Sequence, residues 1–410
     1  MREAMTASSV LPTGLGPALR SLATLALCSL MAACGSTTET APPPVAAMPA
    51  QPQAAPPQPE NVIGTGSVRI ALILPLGASG NAATAARSLR NAAELALGEA
   101  GGADIQILVK DDGGTSQGAQ AAAQQALDEG ARAIVGPLFA HTVAAAGGVA
   151  RQRNVPLVGF STDTNVATRG VYLLSFLPET DVERVVRYAA AQGRRSFAAL
   201  VPDNAYGKVV EAAFRETVPA TGGRIVGLER YATGSAAGYA EAAKRIASGV
   251  QQADALFIPD AGDAVPQILA ALQAAGVNPA GKQLMGTGLW DNPRLAANPA
   301  LAGGIYAAPD PAGYRAFADR YAARFGSPPV RTASLAHDAV SLMAVIVRTQ
   351  GPMGISDTAI QNPSGFSGVD GVFRFLADGT NQRGLAVMRI ENGGARVVEP
   401  APRSFTGAAL

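Results

Sequence analysis

Val68-Arg69-Ile70-Ala71-Leu72-Ile73-Leu74 runs into Pro75-Leu76-Gly77-Ala78-Ser79-Gly80-Asn81, and then into an Ala-rich stretch with Leu89, Ala93 and Ala96 at helical spacing. Only Arg69 interrupts the apolar run, so it reads as a strand buried on both faces, as in a parallel sheet. The unit repeats outward from there. Residues 104–109 alternate as a strand, 116–129 form an Ala/Gln-rich helix and 133–135 a third strand. A helix over 142–153 and a strand over 156–160 follow. A second series starts after Phe176, with helices at 181–192, 207–218, 239–247 and 264–275. Strands at 197–201, 225–228, 255–258 and 284–285 separate them. Such alternation with short turns predicts right-handed βαβ crossovers and an α/β fold. Two such series make two lobes, with a ligand cleft beyond the strand C-termini. Helices return at 311–325 and 332–349, and 371–375 and 385–390 read as edge strands, with Asp378-Gly379 as turn residues.

Composition narrows the function. The chain has 410 residues with Lys+Arg 32 against Asp+Glu 31, a formal net charge of +1 that offers no general basic field for nucleic acid. Two cysteines and two histidines leave no Cys/His metal cluster. No apolar run reaches the ~20 residues of a membrane span.

The front end reads as an address. Arg2 and Arg20 precede or flank the short apolar stretch Leu22–Met31, which ends in Ala32-Ala33 directly before Cys34. Met31-Ala32-Ala33-Cys34 resembles the lipobox of bacterial lipoproteins. That resemblance implies a signal peptide over 1–33, a lipid on Cys34 and a membrane anchor; a plain secretory signal cut at the same Ala-Ala is the alternative. Losing residues 1–33 removes Cys28, leaving Cys34 without an intramolecular disulfide partner, and takes the formal charge to zero. Residues 34–66 read as a tether. Eight prolines fall between Ala41 and Glu60, a composition that cannot offset its ordering entropy by burial. The residues after Cys34 are Gly and Ser rather than the Asp that resembles an inner-membrane retention signal, which favours the outer membrane.

Several motifs carry a second resemblance. Arg69-Ile70-Ala71-Leu72-Ile73-Leu74-Pro75-Leu76-Gly77, Val109-Lys110-Asp111-Asp112-Gly113, Ala133-Ile134-Val135-Gly136-Pro137-Leu138-Phe139 and Val158-Gly159-Phe160-Ser161-Thr162-Asp163-Thr164-Asn165 come first. Val201-Pro202-Asp203-Asn204-Ala205-Tyr206-Gly207, Phe325-Gly326-Ser327-Pro328 and Ala336-His337-Asp338-Ala339 follow in order. Together, over roughly 67–390, the chain resembles the leucine/isoleucine/valine-binding proteins of the type I periplasmic binding fold. The resemblance implies two lobes, each a parallel sheet flanked by helices, joined by three crossings and closing on a small-molecule ligand. Lobe 1 would be 67–176 with 305–350, and lobe 2 would be 177–304 with 351–405. Carried over by position, the ligand residues are Ser79, Ala140, His141, Thr142, Ser161, Thr162, Asp163 and Thr164 from lobe 1, and Tyr206, Asp260 and Trp290 from lobe 2. Hydroxyls and N–H groups at helix starts can hold a carboxylate without a formal cation; the same Ser and Thr are equally ordinary helix caps. Trp290 fits a stacking platform or core packing.

Two departures bear on the ligand. Amino-acid binders of this family place a carboxylate in a second-lobe loop to pair with the ligand ammonium, but Tyr231-Ala232-Thr233-Gly234-Ser235-Ala236-Ala237-Gly238-Tyr239 has none. Ala140 stands where a serine is common. A buried ammonium without an anion is costly, so a leucine-type zwitterion needs Asp163 or Asp260 for its charge. The lipobox, tether and Gly371-Val372-Phe373-Arg374-Phe375-Leu376-Ala377-Asp378-Gly379 also look similar to the penicillin-binding-protein activators, a branch of outer-membrane lipoproteins on the same fold.

Catalysis finds little support. His337-Asp338 lies in a helix and Gly159-Phe160-Ser161-Thr162-Asp163 lacks the second Gly of a nucleophile elbow. Gly64-Thr65-Gly66 and Gly286-Thr287-Gly288 open no dinucleotide site, and Asp111-Asp112 fits a turn cap better than a metal site. The sequence therefore predicts a non-enzymatic, periplasmic, lipid-anchored binding protein without cofactor or metal. The resemblance to the leucine/isoleucine/valine-binding proteins implies as partners the membrane subunits of an ABC importer of amino acids, and the similarity to the activators implies, as the alternative, a peptidoglycan synthase.

Overall fold

The computed structural model describes residues 61–391 and 393–405. The expected signal peptide (1–33), the expected lipidation site Cys34 and nearly all of the expected tether (34–66) lie outside them. The first sheet takes up β1 (Val62–Ile63), β2 (Val68–Leu74), β3 (Ile105–Asp111), β4 (Ile134–Val135), β5 (Leu157–Gly159) and β6 (Val171–Leu173). Its order is β1-β3-β2-β4-β5-β6, parallel except for β1, which pairs antiparallel with β3. In β2 every residue but Arg69 is buried, as the opening run predicts for a central parallel strand. Helix α1 (Gly80–Glu99) covers one face, while α2 (Ser116–Asp128) and α3 (Ala140–Gln152) cover the other.

The second sheet repeats the winding. Helix α4 (Pro178–Ala191) leads into β7 (Ser196–Pro202), α5 (Ala205–Ala220), β8 (Arg224–Tyr231), α6 (Ala236–Gln252), β9 (Ala255–Phe257), α7 (Ala264–Ala274), β10 (Gln283–Gly286), α8 (Pro293–Ala296) and β11 (Ile305–Ala308). The parallel order β8-β7-β9-β10-β11 matches β3-β2-β4-β5-β6 of the first sheet. Side-chain oxygens start these helices in the usual way: Asn204 accepts the Gly207 N–H at 2.8 Å and Ser235 that of Gly238 at 3.1 Å. Helices α4 and α5 pack on one face, α6 and α7 on the other. The connections leaving neighbouring strands β2 and β4, and likewise β7 and β9, thus pass to opposite faces. Each sheet therefore has a crevice at its strand C-termini.

The remaining chain moves between the two bodies. Helices α9 (Pro311–Phe325), α10 (Ala333–Gln350) and α11 (Asp357–Ile360) return to the first core, followed by β12 (Phe366–Gly368), β13 (Gly371–Phe375) and β14 (Asn381–Arg383) as a small antiparallel sheet. Strands β15 (Ala386–Glu391) and β16 (Gly394–Glu399) then complete the second sheet beside β11.

Two expected boundaries move. Residues 305–308 pair with β10 and β15, so the first lobe resumes after Ala308 rather than at 305. Ala359, Ile360, Phe373 and Phe375 are buried in the first core, so lobe 2 resumes near 384 rather than at 351. Neither expected edge strand is an edge: β13 is flanked by β12 and β14, and β15 by β11 and β16. The flanking strands are short or polar, as in Asn381-Gln382-Arg383, and carry no alternating apolar signal.

Candidate functional site

The strand ends of the first sheet place the lobe 1 candidates on three turns. After β2, Ser79 is the N-cap of α1, exposed, with a hydroxyl that makes no capping bond. After β4, α3 begins at Ala140, so 140–142 is a first helical turn rather than a loop. Thr142 is wholly buried there; its Oγ1 donates to the Phe139 carbonyl at 2.9 Å and accepts the Phe139 N–H at 3.2 Å. That is capping chemistry, and it leaves this hydroxyl little to offer a ligand. His141 is exposed, stacks on Phe139 at 5.8 Å and donates Nε2–H to the Gly114 carbonyl at 3.0 Å. After β5, Ser161 is 4% exposed and accepts the Asp163 N–H at 3.0 Å, and Thr162 is exposed. Asp163 Oδ1 is taken by Asn165, through its N–H at 3.1 Å and Nδ2 at 2.8 Å. Asp111 and Asp112 hold the turn after β3, accepting the N–H groups of Gly113 at 2.8 Å and Gly114 at 2.7 Å.

The second lobe is more strongly furnished. Tyr206, in the first turn of α5, shares a hydrogen bond of 2.8 Å with Thr287, which follows β10. Asp260, beyond β9, accepts the Tyr231 hydroxyl at 2.6 Å and the Ala261 N–H at 2.7 Å. Two carboxylates join them from the first turn of α4. Asp181 accepts the Gly288 N–H at 2.9 Å, and burial pushes its carboxyl up to about 7, with the charge of Glu179 adding to the rise. Glu179 accepts the Thr164 hydroxyl at 3.4 Å, a contact from lobe 1 to lobe 2, while its other oxygen is buried without a partner. Burial, then the charges of Asp181 and Asp260, raise the Tyr206 phenol against the lowering bond from Thr287. The wall around Tyr206 is therefore electronegative.

Trp290 occupies a different place. It is fully buried, its indole N–H donates to the Ile258 carbonyl at 3.0 Å, and a Cβ on Gly286 would fall 2.2 Å from its ring. It packs in the second core under the site rather than on its surface. The residues that sequence reasoning missed are Glu179, Asp181, Thr287, Gly288 and Tyr231. Pro178-Glu179-Thr180-Asp181 reads as an ordinary helix start, with Pro at N1 and acids in the first turn. The absence of a carboxylate from 231–239 was the available signal that the charge had to come from elsewhere.

The fold defines a two-lobed α/β protein with a switch point at the strand C-termini of each mainly parallel sheet. Residues 67–395 match the profile of the family described as periplasmic binding protein, and the chain belongs to that family. Comparison with curated proteins gave no match. Among solved structures, a putative branched-chain amino acid ABC transporter protein from Rhodospirillum rubrum is similar over 81% of this chain and 99% of its own, at 21% identity and a TM-score of 0.71. A leucine-, isoleucine-, valine-, threonine- and alanine-binding protein from Brucella ovis, in a closed conformation, covers 84% and 96% at 19% identity and a TM-score of 0.62. A solute-binding protein of an ABC transporter from Rhodopseudomonas palustris BisB5, in complex with 3,4-dihydroxybenzoic acid, covers 82% and 96% at 21% identity and a TM-score of 0.57. At these identities the likeness is one of fold. Among the described residues no helix is long and apolar enough to cross a membrane.

Proposed function

We propose that the protein is a solute receptor whose lobes close on a small, amino-group-bearing polar ligand and present it to the membrane subunits of an ABC importer. The observation that carries this reading is the electronegative wall of lobe 2. The charges of Asp181 and Asp260 act on Tyr206, and that of Glu179 acts on Asp181, supplying by another route the anion that 231–239 lacks. In lobe 1, Ser79 and the N–H groups opening α3 offer donors suited to a carboxylate. The nearby structures that bind aliphatic amino acids and an aromatic acid are consistent with a small polar ligand. In the same reading Cys34 carries the lipid, residues 35–66 span the gap to a bilayer, the outer membrane being favoured, and the folded part works in the periplasm without catalysing a reaction.

The test is thermal unfolding of residues 66–405 against amino acids, amines and simple carboxylates. A ligand at one hundred times its dissociation constant adds about 2.7 kcal/mol. Stabilisation by amino-bearing compounds that is lost in Asp181→Asn supports the receptor. No shift across the panel would turn attention to docking with a peptidoglycan synthase.

A further inference from the structure

A second concavity of about 440 Å³ opens at the other end of lobe 2, by the N-terminal ends of β10 and β11. Its floor and sides include Leu269, Leu284 and Pro279, and its cations are Arg194 and Lys282. Among the described residues no carboxylate lines it. The Nε–H of Arg194 is buried and has no acceptor, a condition that costs free energy until an acceptor arrives. Lys282 Nζ gives one proton to the Gln251 carbonyl at 2.8 Å, leaving two of its three donors. Asn278 accepts the Ala280 N–H at 2.9 Å through Oδ1, which leaves its amide NH2 to donate. Asp254 lies near Arg194, but its Oδ2 already takes the N–H groups of Arg195 and Ser196, each at 2.9 Å.

The rim is built rather than loose. Val277 is buried and donates to the Leu272 carbonyl at 2.9 Å, and the turn at Gly281 closes through Lys282 N–H to the Pro279 carbonyl at 3.1 Å. Across the opening, Gly303 donates to the Ile390 carbonyl at 2.9 Å. The volume suits a small molecule. Donors without carboxylates select an anionic head, and the exposed apolar surface of Pro299, Ala300 and Ala302 selects an apolar body.

The geometry points to a second binding site, separate from the interlobe cleft, for a small organic carboxylate whose head group meets Arg194 and Lys282. The experiment titrates the full chain, uniformly labelled with 15N, with 4-fluorobenzoate, following the probe by 19F and the protein by amide shifts. Saturable shifts at Lys282, Gly303 and Gly304 are expected, unchanged in Asp181→Asn. Affinity read at those amides should fall about tenfold, or 1.4 kcal/mol, in Arg194→Gln. Lys282→Gln provides a second reading if the first variant folds poorly. Shifts confined to the cleft, no shifts at all, or wild-type affinity in both variants would overturn the assignment.

Discussion

Asp181 stands at the start of a helix, where an acid ordinarily gains from the helix dipole, and yet its carboxyl is held up near 7 by burial. An acid raised in the folded state contributes its stabilisation fully below its unfolded value of about 4 and loses it as pH climbs through the folded value. Relative to Asp181→Asn, the wild type should therefore lose stability between about pH 4 and pH 7, because the amide does not ionise while its oxygen still accepts the Gly288 N–H. The two should melt alike in acid, and the variant should melt higher above neutrality, as calorimetric scans across pH would show. A cationic ligand favours the carboxylate, so binding should release a proton near pH 7 and tighten as pH rises through it. Calorimetric titration in buffers of different ionisation enthalpy checks this; a pH-independent affinity would remove Asp181 from the site. The sequence made the hydroxyl-rich turns of lobe 1 legible because motifs carry them. Glu179 and Asp181 were hidden because their local role, opening α4, already explains their presence.

At the level of elements, the alternation of strand and helix was legible because buried parallel strands are short continuous apolar runs. The spacing predicts that α6 ends at 247, ahead of Gly249, a poor helix former; in the structure it runs to Gln252. The reason for a glycine there is tertiary. Helix α6 lies so close on β8 that a Cβ at Gly249 would come within 2.8 Å of both the Gly227 Cα and the Val226 carbonyl oxygen. Replacing a helical glycine by alanine ordinarily gains up to about 1 kcal/mol. Here overpacking against backbone, costing about 1–3 kcal/mol, should dominate. Gly249→Ala should lower the urea midpoint without changing the slope, and a more stable variant would refute the close approach. Strands β12, β14 and β16 escaped notice for a related reason, since they are held by neighbours and not by their own apolar pattern.

The whole molecule depends on how its two bodies are joined, and the third crossing, expected at 350/351, lies near 384, where β14 is bonded to the first crossing. Ser175 and Phe176 leave β6 for lobe 2. The Ser175 carbonyl accepts Asn381 Nδ2 at 2.8 Å and Arg383 Nε at 3.0 Å, both from β14. The Phe176 ring lies 4.6 Å from the guanidinium of Arg331 and 4.8 Å from that of Arg383. Arg331 is in turn paired at 2.6 Å with the buried Asp370. The first and third crossings are thus fastened to lobe 1 as far as Phe176 and Arg383. If the lobes close, bending falls to Leu177 and to residues 384–385, where the Gly384 N–H donates to the Val372 carbonyl and the Leu385 carbonyl accepts Arg184 Nε–H, each at 2.8 Å. Phe176→Ala removes the shared aromatic face from both cations. It should cost about 1–3 kcal/mol, from two cation–π contacts and lost apolar burial. Because the fastened segment then becomes part of the hinge, the open state gains entropy and ligand affinity should fall with no ligand contact altered. Urea unfolding together with solution scattering, with and without a stabilising ligand, tests both parts. A variant that loses stability yet binds and contracts like the wild type would make Phe176 a packing residue alone and move the hinge elsewhere.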